Sequence, residues 1–297
     1  MRTKLYANIA ILFANLLYGV NFIIVKQVLP EYATWQALAL MRGVGALLLM
    51  WLVSLFFKSD KLEKKDVWKI AIAGFLGVTV NQSLLVWGIE LSSPVNASII
   101  MTLNPLFVMV LSALILKYPI TKVKILGILF GGVGAVMLIV STQYNKLTGA
   151  HISGDLIILS NAIMYGLYLV WTKPLMKKYG SFTVLKYMFV FGVVPVMMYG
   201  GNDVLQIDFA SMPVSIYAAI GFVIVGATFL TYMLNIIGLK YVNPTTVSIY
   251  IYIQPIVAAI ISISIGEDNF SWLKLISMIM VFVGVYLVTQ TNNEHAK

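Results

Sequence analysis

The chain has no cysteine among its 297 residues, which excludes disulfide frameworks, thiolate metal sites and thiol redox chemistry. Histidine is nearly absent. The only two, His151 and His295, lie in a loop and in the C-terminal tail, so neither a His-based metal site nor a catalytic triad can be assembled. Charge is scarce, with Asp, Glu, Lys and Arg making up 10% of residues, and no Asp or Glu falls in the middle third of any apolar run. The obvious buried acid for exchanging protons against a solute is therefore missing, which disfavours that form of coupling. Neither a Walker A sequence nor a Gly-rich nucleotide loop occurs, so the chain does not itself use ATP. An enzyme is not expected, nor is a cofactor or metal.

What the chain has in excess is apolar sequence: 60% of residues are hydrophobic and the mean hydropathy is +0.93. Runs of about 20 apolar residues succeed one another with short connections, each long enough to cross the hydrocarbon as a helix. The fold expected is an all-α integral membrane protein with ten transmembrane helices, over residues 5–26, 35–56, 67–89, 95–116, 123–142, 154–173, 182–200, 214–238, 244–265 and 272–290. Arg2 and Lys4 before the first run resemble a signal peptide, but no small-residue cleavage site precedes Lys26, so this helix is expected to be retained. The net charge of +9 does not point to nucleic acid, because the basic residues sit in short loops between apolar spans. The partners expected are the lipid bilayer and a small-molecule substrate, with the chain as a monomer or homodimer.

Lys and Arg near span ends favour the cytoplasm. Lys58, Lys61, Lys64, Lys65 and Lys69 share one connection, and Lys117, Lys122, Lys124, Lys177, Lys178 and Lys240 fall on the same side. The opposite connections carry Glu31, Glu90, Asp203, Asp208, Glu267 and Asp268. Both termini are then cytoplasmic, in an inner or plasma membrane.

One stretch is written twice. Gly88, Pro94, Ser98, Ile99 and Pro105 recur 150 residues later as Gly238, Pro244, Ser248, Ile249 and Pro255. Charge is exchanged between the copies: Glu90 answers to Lys240, and Lys117 to Glu267. Tyr18, Gly19 and Lys26 are matched by Tyr165, Gly166 and Lys173. Each half has an odd number of spans, so the second is inverted. The expected organisation is a first five-helix repeat over residues 1–146 and a second, inverted one over 147–297. Duplication with inversion is the architecture of a secondary transporter.

Polar side chains inside a membrane are costly unless they face a cavity or another helix. On the fourth span Ser98, Thr102 and Pro105 share a face, as do Ser248, Tyr252 and Pro255 on the ninth. Pro105 and Pro255 each free a backbone carbonyl one turn earlier and kink the helix. The third and eighth spans add Asn81, Gln82, Thr231 and Tyr232, and the first and sixth add Tyr18, Asn21, Tyr165 and Tyr168, with Asn15, Asn161 and Asn235 nearby. These residues either line one central cavity or act as interhelical hydrogen-bond glue. A cavity of amides, hydroxyls and aromatic walls suits a small neutral or zwitterionic solute. Arg42 and Lys186 are the charges set within spans; they either pair with a substrate carboxylate or gate its entry, or else snorkel to headgroups. Gly127, Gly131, Gly132 and Gly134, and Gly43 with Gly45, permit close helix packing inside one subunit or at a dimer seam. Trp87 and Trp171 lie near span ends on helices that carry these polar residues, and suit either the interface or the cavity.

The run from Tyr18 and Gly19 to Lys26, the Gly88 to Pro105 unit, their second-half copies, and Thr121 and Ser271 opening the next helix in each half resemble the EamA-type transporters of the drug/metabolite transporter superfamily over nearly the whole chain. The resemblance implies a basket of two inverted repeats and export of small metabolites, such as amino acids, by alternating access through a central cavity. Uptake, or a receptor or scaffold role, is the alternative. Family members carry a Glu shortly before the Thr or Ser; Glu267 fills that place, whereas the first half has Tyr118 and Pro119. In the four-helix multidrug relatives an essential Glu precedes a Lys by eight residues. Counting back from Lys26 and Lys173 gives Tyr18 and Tyr165, so the proton-coupled antiport of those relatives does not carry over.

Overall fold

The computed structural model describes residues 2–56, 60–117, 121–142, 151–235 and 250–290. The apolar runs are helical: α1 (Arg2–Val28), α2 (Trp35–Val53), α3 (Lys64–Leu91), α4 (Pro94–Ile115), α5 (Lys122–Thr142), α6 (Ile152–Tyr179), α7 (Ser181–Leu205), α8 (Val214–Asn235), α9 (Ile253–Ser264) and α10 (Trp272–Gln290). Among the described residues, all of these except α9 are long and apolar enough to cross a membrane. The first part of the ninth run expected at residues 244–265, residues 244–249 with Ser248 among them, lies outside the described residues. The chain is an integral, multi-pass, all-helical membrane protein among the described residues.

Local chemistry sets the boundaries. Thr34 caps α2 by accepting from the Ala37 amide at 3.2 Å, and Ser93 caps α4 by accepting from the Asn96 amide at 3.1 Å, with Pro94 in the first turn where it lacks nothing the helix needs. Gly180, at φ +75°, makes the turn between α6 and α7, a conformation that L side chains rarely adopt. Two helices outrun the expected spans: α6 continues through Pro174 to Tyr179, and α7 through Gly200 to Leu205. The last turn of α6 is held by tertiary contacts to the start of α3, which a reading of hydropathy alone does not see.

Two departures from regular helix matter for the interior. α4 is interrupted at Thr102 and Leu103, just before Pro105, where the two amides donate to carbonyls three residues back at 3.1 and 3.0 Å. A matching interruption falls at Tyr252, three residues before Pro255. In addition, α3 and α8 widen into π-helical turns at Phe75–Val80 and Phe222–Leu230. Each ends immediately before the polar pair of its helix, Asn81 with Gln82 and Thr231 with Tyr232. A π turn carries extra residues for the same rise and so rotates the next stretch of helix about its axis.

Packing is pairwise. α5 lies along α10, and α2 along α7 and α8; α1 packs on α8 and α9, and α6 on α3 and α4. Gly127 and Gly134 of α5 face α10 within the chain, a methyl group at Gly127 falling 2.6 Å from the Gly284 carbonyl oxygen, whereas Gly131 faces Leu106 of α4.

Candidate functional site

Inside the bundle, α1, α2, α3, α6 and α8 bring together a polar and aromatic cluster. The Gln82 side-chain amide donates to the Tyr232 hydroxyl at 3.2 Å, and the Tyr232 ring meets Phe189 edge-on with centroids 5.5 Å apart. Tyr165 and Tyr168 are tilted against each other at 5.9 Å, and a methyl group at Gly77 would fall 2.6 Å from the Tyr168 ring. The Tyr18 hydroxyl lies beside Thr231 and Asn235. Arg42 is 1% exposed, and its Nε donates to the Thr228 hydroxyl at 2.6 Å. Its guanidinium also lies within electrostatic reach of the Tyr18 and Tyr232 hydroxyls. Asn161 donates its amide to the Asn81 carbonyl, tying α6 to α3.

Several of these buried groups are only half used. Arg42 Nη1, Gln82 Oε1, Asn81 Nδ2, Asn161 Oδ1 and Asn21 Oδ1 are buried without a hydrogen-bond partner. Native interiors rarely tolerate such groups, and a local concentration of them marks a place where water or a ligand completes the set.

The other residues singled out from sequence sit elsewhere. Ser98 and Thr102 are buried and donate to carbonyls of their own helix, Val95 at 2.7 Å and Ile99 at 2.6 Å. Thr231 likewise donates to Ala227 at 2.8 Å, although it borders Tyr18. Tyr252 packs on α10, with its ring 4.5 Å from Phe282 and its hydroxyl donating to the Phe282 carbonyl at 3.2 Å. Gln254 donates to Asn15 at 2.7 Å, a satisfied contact between α9 and α1. Lys186 lies over the Trp51 ring at 4.1 Å. Thr228, the partner of Arg42, escaped the sequence reading, although it falls three residues before Thr231 and so on the same face.

The two ends of the bundle differ. At the Lys-rich end, Asp66 is 2% exposed and accepts from Lys69 at 2.7 Å, Lys178 at 2.7 Å and Tyr179 at 2.8 Å, while Glu63 pairs with Lys178 at 2.6 Å and Lys65 at 2.8 Å. These ion pairs hold Glu63 below the usual carboxylate range, Lys178 first. A surface cleft of about 270 Å³ beside this network is lined by Asp66, Lys69, Trp171, Pro174, Leu175 and Lys178. It does not reach the interior cluster's residues. Trp171 meets Trp68 edge-on there and donates to the Lys69 carbonyl at 3.0 Å.

At the far end, Trp87 stacks on Trp35 at 5.3 Å. Lys26 donates to the Glu90 carbonyl at 2.6 Å and the Ser92 carbonyl at 3.1 Å, capping the end of α3. Asp155 accepts from Ser92 and from the Asn96 amide, the latter at 3.1 Å. Glu267, between α9 and α10, also senses Lys26; burial nevertheless pushes its carboxyl above the usual range, against the pull of that lysine.

A bundle of apolar helices long enough to cross a membrane, with polar side chains gathered inside it, defines a multi-pass membrane protein. The profile of the EamA-like transporter family matches residues 5–140 and 152–290, and the chain belongs to that family. It is 27% identical over 282 residues to the uncharacterized transporter YyaM of Bacillus subtilis (strain 168), covering 93% of this chain and 91% of that protein. A probable terminal-alkyne amino-acid exporter of Streptantibioticus cattleyicolor is 26% identical over 213 residues, covering 68% of this chain and 67% of that protein. A crystal structure of a protein superposes with a TM-score of 0.63 at 15% identity, over 95% of this chain and 96% of the other, which supports the fold.

Proposed function

We propose that the chain is a secondary transporter exporting small neutral or zwitterionic metabolites, amino acids among them, by alternating access through a site between two inverted five-helix repeats. The observation that carries this reading is the meeting of Tyr18, Arg42, Gln82, Tyr165, Tyr168 and Tyr232 from α1, α2, α3, α6 and α8, with Arg42 Nη1 and Gln82 Oε1 buried there and unpartnered. A solute entering there would complete hydrogen bonds that the protein leaves open. Supporting the duplication, the packing pairs are one another's counterparts: α1 on α9 answers α6 on α4, and α1 on α8 answers α6 on α3. The matched π turns of α3 and α8 obey the same rule. The open acceptors of the site are neutral amides, which suit the donor groups of a neutral or zwitterionic solute. With the Lys-rich connections cytoplasmic, both termini lie in the cytoplasm of a bacterial inner membrane.

The natural lack of cysteine makes the topology test direct. In intact cells, Glu90→Cys should react with an impermeant maleimide from outside, and Lys240→Cys only after permeabilisation. Reaction of both from the same face removes the inverted repeat. In proteoliposomes, Tyr165→Ala should reduce solute flux at least tenfold at normal expression. Unchanged saturation kinetics would move the site away from α6.

A further inference from the structure

We propose that Arg42 is the receptor for a carboxylate on the transported solute, and so decides which solutes the transporter accepts. The proposal rests on the transport reading above. Arg42 is the largest of the fully buried side chains, and Thr228 is its one hydrogen-bond partner among the described residues. One of its terminal nitrogens, Nη1, meets no acceptor. Guanidinium does not shed its proton in proteins, so burial cannot be relieved by neutralisation, as it can for a lysine. An isolated charge at such depth is among the least favourable groups a helix bundle can hold, and it calls for an anion.

Among the described residues no carboxylate acts on Arg42, whose electrostatic neighbours are Tyr232 and Tyr18. Every Asp and Glu among them lies at a helix end or in a connection: Asp66 is engaged with Lys178, Asp155 with Asn96 and Asp268 with Lys274 at 2.6 Å, and Glu90 and Glu267, each with one buried oxygen unpartnered, lie at the end of the bundle that holds Lys26. The other cations within or at the edge of the spans also have their partners. Lys186 has the face of Trp51, Lys274 has Asp268, and Lys26 has three carbonyls at the end of α3. Arg42 differs in keeping a buried terminal nitrogen that meets no partner.

The stoichiometry of charge narrows the solute. A single guanidinium is neutralised by a monoanion, whereas a phosphate ester would leave negative charge in the membrane interior. Nε is committed to Thr228, so the carboxylate is met through Nη1 in a single-pronged contact. Of the open acceptors, Asn21 Oδ1 and Asn161 Oδ1 belong to residues about one helical turn from Tyr18 and Tyr165, and Gln82 Oε1 to the amide that meets Tyr232. They suit donors on the same solute, such as an ammonium or hydroxyl group.

The test is thermal unfolding of the purified full chain in detergent against three sets of compounds. The first is monocarboxylates: the eighteen common amino acids other than aspartate and glutamate, with acetate, lactate and pyruvate. The second is the amides and decarboxylated amines of the same amino acids, and the third is inorganic phosphate and chloride. At least one monocarboxylate should raise the midpoint by about 5 °C when present far above its Kd, while its amide and amine shift it by no more than about 1 °C. Arg42→Met should abolish the shift and raise the ligand-free midpoint, because an uncompensated charge has been removed. If Arg42→Met gives no folded protein, Arg42→Lys carries the test: affinity should fall about tenfold with the acid-over-amide preference kept.

Equal shifts from acid and amide, a shift that survives Arg42→Met, a larger shift from inorganic anions, or no shift from any carboxylate would each overturn the assignment. A lower ligand-free midpoint in Arg42→Met passes the decision to Arg42→Lys, in which loss of the acid-over-amide preference overturns the assignment. Counterflow in proteoliposomes keeps the two levels apart. Movement of a sugar or nucleoside, with carboxylates inert, removes the role of Arg42 and leaves the transporter standing. Movement of no solute at all removes the transport reading itself.

Discussion

The Lys-rich end of the bundle and its interior are built from the same kinds of residue to opposite effect. At the Lys-rich end, Asp66 is buried but takes three donors, and Glu63 takes two, so α3 and α6 are tied with nothing to spare. In the interior, the same two helices present Gln82, Asn81 and Asn161 with one polar atom each left open, and the Arg42 guanidinium of α2 is also incompletely used. Buried polar groups that satisfy one another rigidify a structure; groups that do not are stabilised only when something else arrives. On the function proposed above, the first region is a joint and the second a receptacle. Polar residues in membrane helices thus serve two ends that composition alone does not separate.

Three substitutions would break or sharpen that contrast. The largest effect is expected for Gln82→Leu, which removes an open acceptor and the amide that orients Tyr232. Transport, measured as kcat/KM in proteoliposomes, should fall about 30-fold, with the thermal midpoint of the purified protein held within about 2 °C. A collapse in stability with normal flux from the surviving protein would make Gln82 a joint as well. Next comes Asp66→Asn. Lys69 and Lys178 then face a neutral amide, the thermal midpoint should drop, and flux per folded molecule should stay within about twofold. Lost flux at unchanged midpoint would place the Lys-rich cluster inside the transport machinery and dissolve the comparison.

The smallest effect is expected at Glu267. Its carboxyl is raised by burial, so the folded chain keeps this proton to a higher pH than the unfolded chain does. The stability it contributes is fully present below the unfolded pKa and is lost as pH rises through the folded value. The wild-type midpoint should therefore fall slightly more than that of Glu267→Gln as pH is raised from about 4 to 8, by about 1 °C. Parallel curves for the two proteins would show that Glu267 is solvated like any loop acid.

Hydropathy and charge were enough to read the spans, because crossing a membrane is a local requirement on about 20 consecutive residues. The ends of α2, α3, α4, α5 and α10 fall within a few residues of the expected bounds. The run of α6 past Pro174 was not legible, since what holds its last turn is Lys178 and Tyr179 reaching Asp66, more than a hundred residues earlier in the chain. The candidate site was legible in part. Tyr18, Asn81, Gln82, Tyr165, Tyr168 and Tyr232 were singled out, and the structure brings them together. Ser98 and Thr102 share a helical face with a proline, which looked like a polar stripe, yet each hydroxyl bonds a carbonyl one turn back. Serine and threonine can satisfy themselves within a helix, whereas asparagine, glutamine and arginine carry too many donors and acceptors to do so.

By itself, then, the sequence determined that the chain is a multi-pass helical membrane protein of the EamA-like transporter family, and which of its residues are polar in an apolar setting. Only the tertiary structure decided which of them meet. The π turns of α3 and α8 rotate the polar pairs just beyond them, and the packing of α1 and α2 against α8 carries Arg42 to Thr228, 186 positions away in the chain. Neither effect leaves a trace in the spacing of neighbouring residues. A helix announces its own periodicity, but the partner it turns toward is set by the shapes of the other helices.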